Sequence, residues 1–442
     1  MLSVSVIEAR RQSRKPGWVR GSLCGAPVIH EISSRAGRWS PEDSTMRVCM
    51  VAYSFYEGDN RVRRYAETLV RRGDRVDVVS LRQNGQPARG IVNGVRVFRI
   101  QRRVVNEKTK FTYLGRLLLF FMRSMAFLSL EQMKERYDLV HVHSVPDFEV
   151  FAAILPKLTG AKIILDIHDL VPEFYLSKFQ SSDRSLTFRL LTAVERMSAG
   201  FSDHVIAANH IWEKRLQERS VKASKCTTIL NFPDTEIFQV RGRNRADDKF
   251  IILYPGTLNY HQGIDIAIRA LALIKDEVPE AEFHIYGAGD QLNSLRALVE
   301  ELGLEDRVFL KGTKPLHDIA SVIENADLGI VPKRSNSFGN EAFSTKILEF
   351  MSLGVPVIVP DTAIDSYYFN DSVVKFFQAN NERSLADAIL LMIRNPELRK
   401  KFIRDASEFV LEYSWDFNKA TYLNLVDSLV QSSNGRVPVE KT

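Results

Sequence analysis

Arg47-Val-Cys-Met-Val-Ala-Tyr53 opens the legible part of the chain as a short apolar strand. The loop Ser54-Phe-Tyr-Glu-Gly-Asp59 follows, then a helix that runs to Arg72 and stops at Gly73, where helices commonly take a C-terminal glycine. Arg75 to Leu81 returns as a strand. Strand, helix and strand within about thirty-five residues are the repeating unit of a parallel sheet.

The unit recurs in both directions of reading. Strands are expected at 138–142, 162–167 and 204–208, with helices at 147–158 and 185–199. These strands are largely apolar throughout, as strands covered on both faces are. Asn231-Phe-Pro-Asp234 and the charged run Arg241 to Lys249 read as a linker. A second series begins at Phe250, with strands at 250–254, 282–286, 328–331 and 355–359 and helices at 264–275, 291–302, 316–325 and 344–353. A last helix, near Trp415 to Val430, has no strand after it. The spacing predicts an α/β chain of two Rossmann-like, doubly wound domains facing across a cleft. Their expected bounds are 46–237 and 245–412, with helix 413–432 crossing back to the first domain and tails at 1–45 and 433–442. Ligands of such sheets sit outside the carboxyl ends of the strands, so the loops after strands are where chemistry belongs.

Composition narrows the class. With 442 residues, 45% hydrophobic and 26% charged, the chain is neither disordered nor collagenous and has room for two to three domains. Sixty basic against fifty-four acidic residues give +6, too mild to demand a nucleic-acid partner. Cys24, Cys49 and Cys226 lie far apart with no C-x-x-C pair, which encodes neither a zinc cage nor a disulfide framework and points to a reduced, cytoplasmic setting. No run reaches the roughly 18 uninterrupted apolar residues of a spanning helix. The strongest, Leu117 to Met122, is bounded by Arg116 and Arg123. Residues 1–45 carry Arg10, Arg11, Arg14 and Lys15 ahead of a glycine- and serine-rich stretch, and read as a loose, disordered basic tail with Met46 as a candidate start. Only Trp18 and Trp39 interleave its charges, so no nucleic acid is expected there.

The most informative segment is Val331-Pro-Lys-Arg-Ser-Asn-Ser-Phe-Gly-Asn-Glu341-Ala-Phe-Ser-Thr-Lys346-Ile-Leu-Glu349-Phe-Met-Ser-Leu-Gly-Val-Pro-Val-Ile358. A strand ends near Val331, a long polar loop follows, and a helix starts near Ser344, a fit N-cap. The helix start around Phe343, Ser344 and Thr345 offers amides and a dipole to a phosphate, and Lys346 adds a charge. Glu341 and Glu349, eight positions apart, can serve a sugar and a ribose on either side of a diphosphate. Two glutamates at this spacing alone are more often a solvated helix edge.

Glu341-x7-Glu349 followed by Gly-Val-Pro-Val resembles the signature of family-four retaining glycosyltransferases, which have the two-domain GT-B fold. The resemblance covers about residues 46–432 and implies that Glu341 meets the donor sugar while Glu349 binds the ribose. Two more segments match. Tyr254-Pro-Gly256-Thr257-Leu-Asn-Tyr-His-Gln262-Gly263 follows the first strand of the second domain, but where the family usually has an Arg and a Lys gripping the diphosphate this chain has Thr257 and Gln262. Phosphate binding must then lean on backbone amides, Lys346 and Lys333. Ile285-Tyr-Gly287-Ala-Gly289-Asp290 resembles the glycine turn beside the nucleotide base, although a lone G-x-G can be only a tight turn. In the first domain, Leu165-Asp-Ile-His168-Asp169 sits where the family often places a histidine on the donor sugar, and His168 is the candidate. Gly58, Asp59 and Arg61, after the first strand, fall where the family shapes acceptor and phosphate contacts, but its double-glycine loop is missing. His141 and His143 end a strand on one face; an acceptor-side or structural role for His143 is expected rather than a metal.

The resemblance implies a nucleotide-sugar co-substrate, UDP- or GDP-linked, and a lipid-linked or oligosaccharide acceptor. No Asp-x-Asp occurs, so no obligatory metal or other cofactor is expected. Residues 108–123 are basic, aromatic and apolar together, fitting either a domain helix or peripheral contact at the inner face of a membrane. The competing readings are a nucleotide-sugar epimerase of the same fold and a binding protein that has lost turnover. A nicotinamide-dependent dehydrogenase is disfavoured, since neither domain's first strand is followed by G-x-G-x-x-G.

Overall fold

The structure, a computed structural model, describes residues 45–103, 110–179, 182, 184–336 and 338–431. The expected tails before Thr45 and at 433–442, and the start of the 108–123 stretch, lie outside the described residues.

The first domain is one sheet of β1 (Arg47–Ala52), β2 (Arg75–Arg82), β3 (Arg89–Val92), β4 (Val95–Arg102), β5 (Leu139–His143), β6 (Lys162–Ile167), β7 (His204–Ala207) and β8 (Cys226–Thr228). Their order is β3-β4-β2-β1-β5-β6-β7-β8, parallel except at β3–β4. The helices between them are α1 (Asn60–Arg72), α2 (Lys110–Lys134), α3 (Ile154–Leu158), α4 (Val171–Phe179), α5 (Leu186–Phe201) and α6 (His210–Arg219). The second domain orders its strands β11-β10-β9-β12-β13-β14, all parallel. They are β9 (Phe250–Pro255), β10 (Ala281–Tyr286), β11 (Val308–Leu310), β12 (Leu328–Ile330), β13 (Val357–Pro360) and β14 (Lys375–Phe377). Helices α7 (Ile264–Ile274), α8 (Leu292–Glu301), α9 (Leu316–Glu324), α10 (Thr345–Ser352), α11 (Ala363–Tyr368), α12 (Glu382–Arg394), α13 (Pro396–Glu412) and α14 (Trp415–Gln431) complete it. The order reverses between β1 and β5 in one sheet and between β9 and β12 in the other. Loops leaving those strands therefore diverge and open a crevice at each switch point.

Residues 229–249 link the domains without regular structure. α14 crosses back as expected. Its Tyr422 is fully buried against Tyr65 of α1, the Trp415 indole donates to Thr68 Oγ1 at 2.9 Å, and Asp427 pairs with Arg72 at 2.6 Å.

Thr112–Lys134 has a mean hydropathy of 1.4 and is long and apolar enough to cross a membrane, because Arg116 and Arg123 dilute but do not abolish its average. It lies on the domain along one stripe, Leu117, Phe120, Ser124 and Leu128, all buried, against the 3₁₀ segment Asp147–Ala153. Tyr113, Leu114, Leu118 and Met122 face outward.

Glu149, on that 3₁₀ segment, is 1% exposed and neither carboxylate oxygen has a hydrogen-bond partner. Burial pushes its pKa up to about 8 against a smaller pull from Ser124, whose geometry falls short of a hydrogen bond. Asp147 is pushed to about 7 by burial, opposed by its bond to Ser144. Both groups hold a proton in the folded chain that the unfolded chain releases near pH 4, so stability falls as pH rises from about 4 to 8. For Glu149 alone the loss is of order 5 kcal/mol. Glu149→Gln is expected to raise the Tm at pH 9 by several degrees and to change it little at pH 4; an equal or lower Tm at pH 9 contradicts this.

Candidate donor site

The two switch-point loops face each other across a polar cavity of about 410 Å³. Asp59 and Arg61 reach it from the loop after β1, His168 and Asp169 from β6, and Asn209 from β7. Gln262 comes from the loop after β9, and Lys333 and Phe343 to Lys346 from the segment joining β12 to α10. A second polar cavity of about 420 Å³ shares Asp59, Arg61, Asn231 and Thr345 with the first and extends to Gly58 and Glu349.

α10 begins at Thr345 with Ser344 at the N-cap, as the sequence indicates. The Ser344 side chain makes no capping bond, and its Oγ is buried with no partner. The helix start is therefore uncapped by side chain and open to an anion. Lys346 stands in the first turn over the Tyr254 ring, 5.7 Å from its centroid. Burial pushes its ammonium pKa down, Lys333 adds to this, and Glu349 opposes. It has no ion pair among the described residues. Its stem lies across Gly256, where a Cβ would come within 2.2 Å of Lys346 Cε.

Lys333 departs from its expected role. Its ammonium pairs with Asp365 at 3.0 Å and donates to the Ala342 carbonyl at 2.7 Å, so it braces the loop rather than offering a free charge. Neither Thr257 nor Gln262 supplies a cation. Gln262 Oε1 and the Thr257 carbonyl both accept from the Tyr254 hydroxyl, at 3.0 and 2.9 Å. Gly287 and Gly289 do not border either cavity. A Cβ on Gly287 would fall 1.7 Å from the Gly256 carbonyl oxygen, so this turn is glycine because two loops pack backbone to backbone.

Glu341 lies just behind the wall, since Ala342 and Phe343 border the first cavity and Glu341 does not. Its Oε1 accepts from Arg215 of α6 across the domain boundary, while Oε2 is buried and unpartnered. Burial raises its pKa and the Arg215 charge pulls it back. Arg215 and Asn209, which donates to the Glu341 carbonyl at 3.0 Å, were not read as site residues. Asn209 had a signal: it follows strand β7 and caps α6 through Trp212 N.

In the first domain Asp59 caps α1 and borders both cavities. Arg61 is not free for a phosphate. Its Nε and Nη2 bond the buried Asp166 at 2.8 and 2.7 Å, and its Nη1 is buried without a partner. His143 is 2% exposed and outside the cavity wall, which makes it an inner brace rather than an acceptor contact. His141, His143 and Asp166 bring ligand-type atoms within 4.8 Å. Arg61 already places a positive charge on that carboxylate, so the cluster is built as a hydrogen-bonded ion pair and not as a cation cage.

Residues 59–237 match the family described as Glycosyltransferase Family 4, and residues 236–409 match Glycosyl transferases group 1. The chain belongs to glycosyltransferase family 4. The glycosyltransferase is 25% identical over 378 residues to an uncharacterized glycosyltransferase of Methanocaldococcus jannaschii, covering 79% of this chain and 89% of that one. The amylovoran biosynthesis glycosyltransferase AmsK of Erwinia amylovora is 24% identical over 194 residues; that match spans 44% of this chain and about half, 48%, of AmsK. Among solved structures, Anabaena HepE in complex with UDP-glucose superposes with a TM-score of 0.64 at 16% identity, covering 88% of this chain and 100% of HepE. That likeness shows the GT-B fold.

Proposed function

We propose that this glycosyltransferase moves a sugar from a nucleoside-diphosphate sugar to a lipid-linked or polysaccharide acceptor, with retention at the anomeric carbon and without an obligatory metal. The observation that carries the reading is Lys346, a half-buried lysine with no ion-pair partner among the described residues, at an uncapped helix start on a switch-point cavity. A diphosphate supplies the missing charge. HepE, similar in fold, has been solved with UDP-glucose, and AmsK acts in amylovoran biosynthesis. In this reading the diphosphate lies at α10, Glu349 takes the ribose, and Glu341 Oε2 takes a sugar hydroxyl once the loop yields by one residue. The acceptor hydroxyl attacks from the face that the diphosphate leaves. Catalysis is then positioning plus fixed charge at the leaving group.

Calorimetric titration with UDP, GDP, ADP and TDP in EDTA tests the donor side. One of the four is expected to bind; silence from all four counts against the proposal. The outward apolar residues of α2, interspersed with Arg116 and Arg123, fit an anionic membrane surface. Leu118→Asp with Met122→Asp is expected to release the protein from floated anionic vesicles, and unchanged flotation removes this contact.

A further inference from the structure

Asp166, next to last in β6, is fully inaccessible. Besides the two bonds from Arg61, its Oδ2 lies 3.1 Å from His168 Nε2 and 3.2 Å from His143 Nδ1. His143 is in turn stacked on His141, whose Nδ1 lies 3.0 Å from the Tyr422 hydroxyl. Burial alone would push the Asp166 carboxyl up; the Arg61 charge and the bonds from the His143 and His168 rings overcome it and hold it well below the usual range.

An ionised carboxylate only accepts hydrogen bonds. His168 Nε2 also lies 3.2 Å from His143 Nδ1, and both nitrogens converge on the same carboxylate oxygen, so each is the protonated nitrogen of its ring and His168 is Nε2–H. The ring is 23% exposed where it borders the 410 Å³ cavity, and its other nitrogen, Nδ1, has no partner among the described residues. We propose that Asp166 is a positioning residue that locks His168 in the Nε2–H tautomer, so that Nδ1 meets the cavity as a hydrogen-bond acceptor for a hydroxyl of the transferred sugar. The proposal rests on the glycosyl-transfer reading above.

The tautomer separates two ligand chemistries. A lone pair on Nδ1 accepts from a sugar hydroxyl and repels a phosphate oxygen, whereas Lys346 does the reverse. With both groups on one cavity, the sugar is directed to the His168 side and the diphosphate to α10. Arg61 makes the arrangement specific to aspartate. Arg61 spans both Asp166 oxygens, Nε on Oδ2 and Nη2 on Oδ1, so in Asp166→Asn the amide oxygen keeps only one of them; held by Nη2, it turns the amide N–H₂ toward His168 Nε2. That nitrogen must then accept, the proton moves to Nδ1, and the cavity meets a donor instead of an acceptor.

The test uses the full chain labelled with ¹⁵N-histidine and a long-range ¹H–¹⁵N correlation spectrum, with His168 assigned from the His168→Ala spectrum. The wild type is expected to show a neutral Nε2–H ring and Asp166→Asn an Nδ1–H ring. With the donor that the protein turns over, Asp166→Asn is expected to lower kcat roughly 10²-fold and to leave nucleoside-diphosphate affinity unchanged. In the His168→Ala background the same substitution should cost less than about threefold, because the two act as one unit. A wild-type Nδ1–H or doubly protonated ring overturns the proposal. So does an equal kcat loss in both backgrounds, the mark of a merely structural aspartate. Should Asp166→Asn not fold, the wild-type tautomer still decides. Absence of turnover with every nucleotide sugar would instead strike the transfer reading, and the spectrum reads the tautomer independently of it.

Discussion

Lys346→Ala is expected to lower kcat/KM for the nucleotide sugar by roughly 10²–10³, about 3–4 kcal/mol of transition-state stabilisation. As the bond from C1 to the diphosphate breaks, negative charge grows on the departing phosphate. A cation fixed beside it is then worth more in the transition state than in the bound ground state, so kcat should fall along with affinity. Lys346 is the cation placed to do this: Lys333 is held by Asp365, Arg61 by Asp166, and the positions of the usual Arg and Lys carry Thr257 and Gln262. An independent route to the same loss is Gly256→Ala. It leaves the charge in place but puts a methyl where the Lys346 stem lies, so the ammonium must move. Steady-state kinetics of the two variants checks this, and a loss below about fivefold in Lys346→Ala would remove the lysine from the diphosphate site.

Glu341→Gln should cost a comparable factor, about 10²-fold in kcat, with nucleoside-diphosphate binding nearly unchanged. The substitution keeps the shape but removes the charge that Arg215 meets and the acceptor that Oε2 offers. Arg215 gives the prediction a pH signature. Burial raises the Glu341 carboxyl and Arg215 opposes it, so Arg215→Ala leaves a carboxyl raised further. A raised acid is ionised only above its new pKa, so activity of Arg215→Ala should be low at acid pH and recover as pH rises, with its acid limb above that of the wild type. Glu341→Gln should show no such recovery. Parallel pH profiles for both variants would contradict the pairing.

The parts of this chain that the sequence discloses are those where local chemistry and tertiary role coincide. β1, β9 and β13 are buried on both faces and therefore written as apolar runs, and Ser344 marks the start of α10. The hairpin β3–β4 escapes the apolar-run criterion because its strands alternate, although Asn93-Gly94, both at positive φ, is its turn signal. In the site, Glu349, Lys346 and His168 could be placed from their loops. The Arg215–Glu341 pair and the Arg61–Asp166–His168 centre could not, because they join residues 126 and 105 positions apart and only the folded sheets bring them together. Lys333 failed for a related reason: its loop looked open, and the partner that occupies it, Asp365, lies on a later helix.

The central claim is sugar transfer from a nucleotide donor at the switch-point cavity. Its most direct test is release of nucleoside diphosphate from a panel of UDP-, GDP-, ADP- and TDP-sugars in EDTA, with and without a membrane lipid extract. The prediction is release from one donor, stimulated by the extract and lost in Lys346→Ala. Release that appears only when a divalent cation is restored, or a folded protein that releases nothing from any donor with any extract, would contradict it.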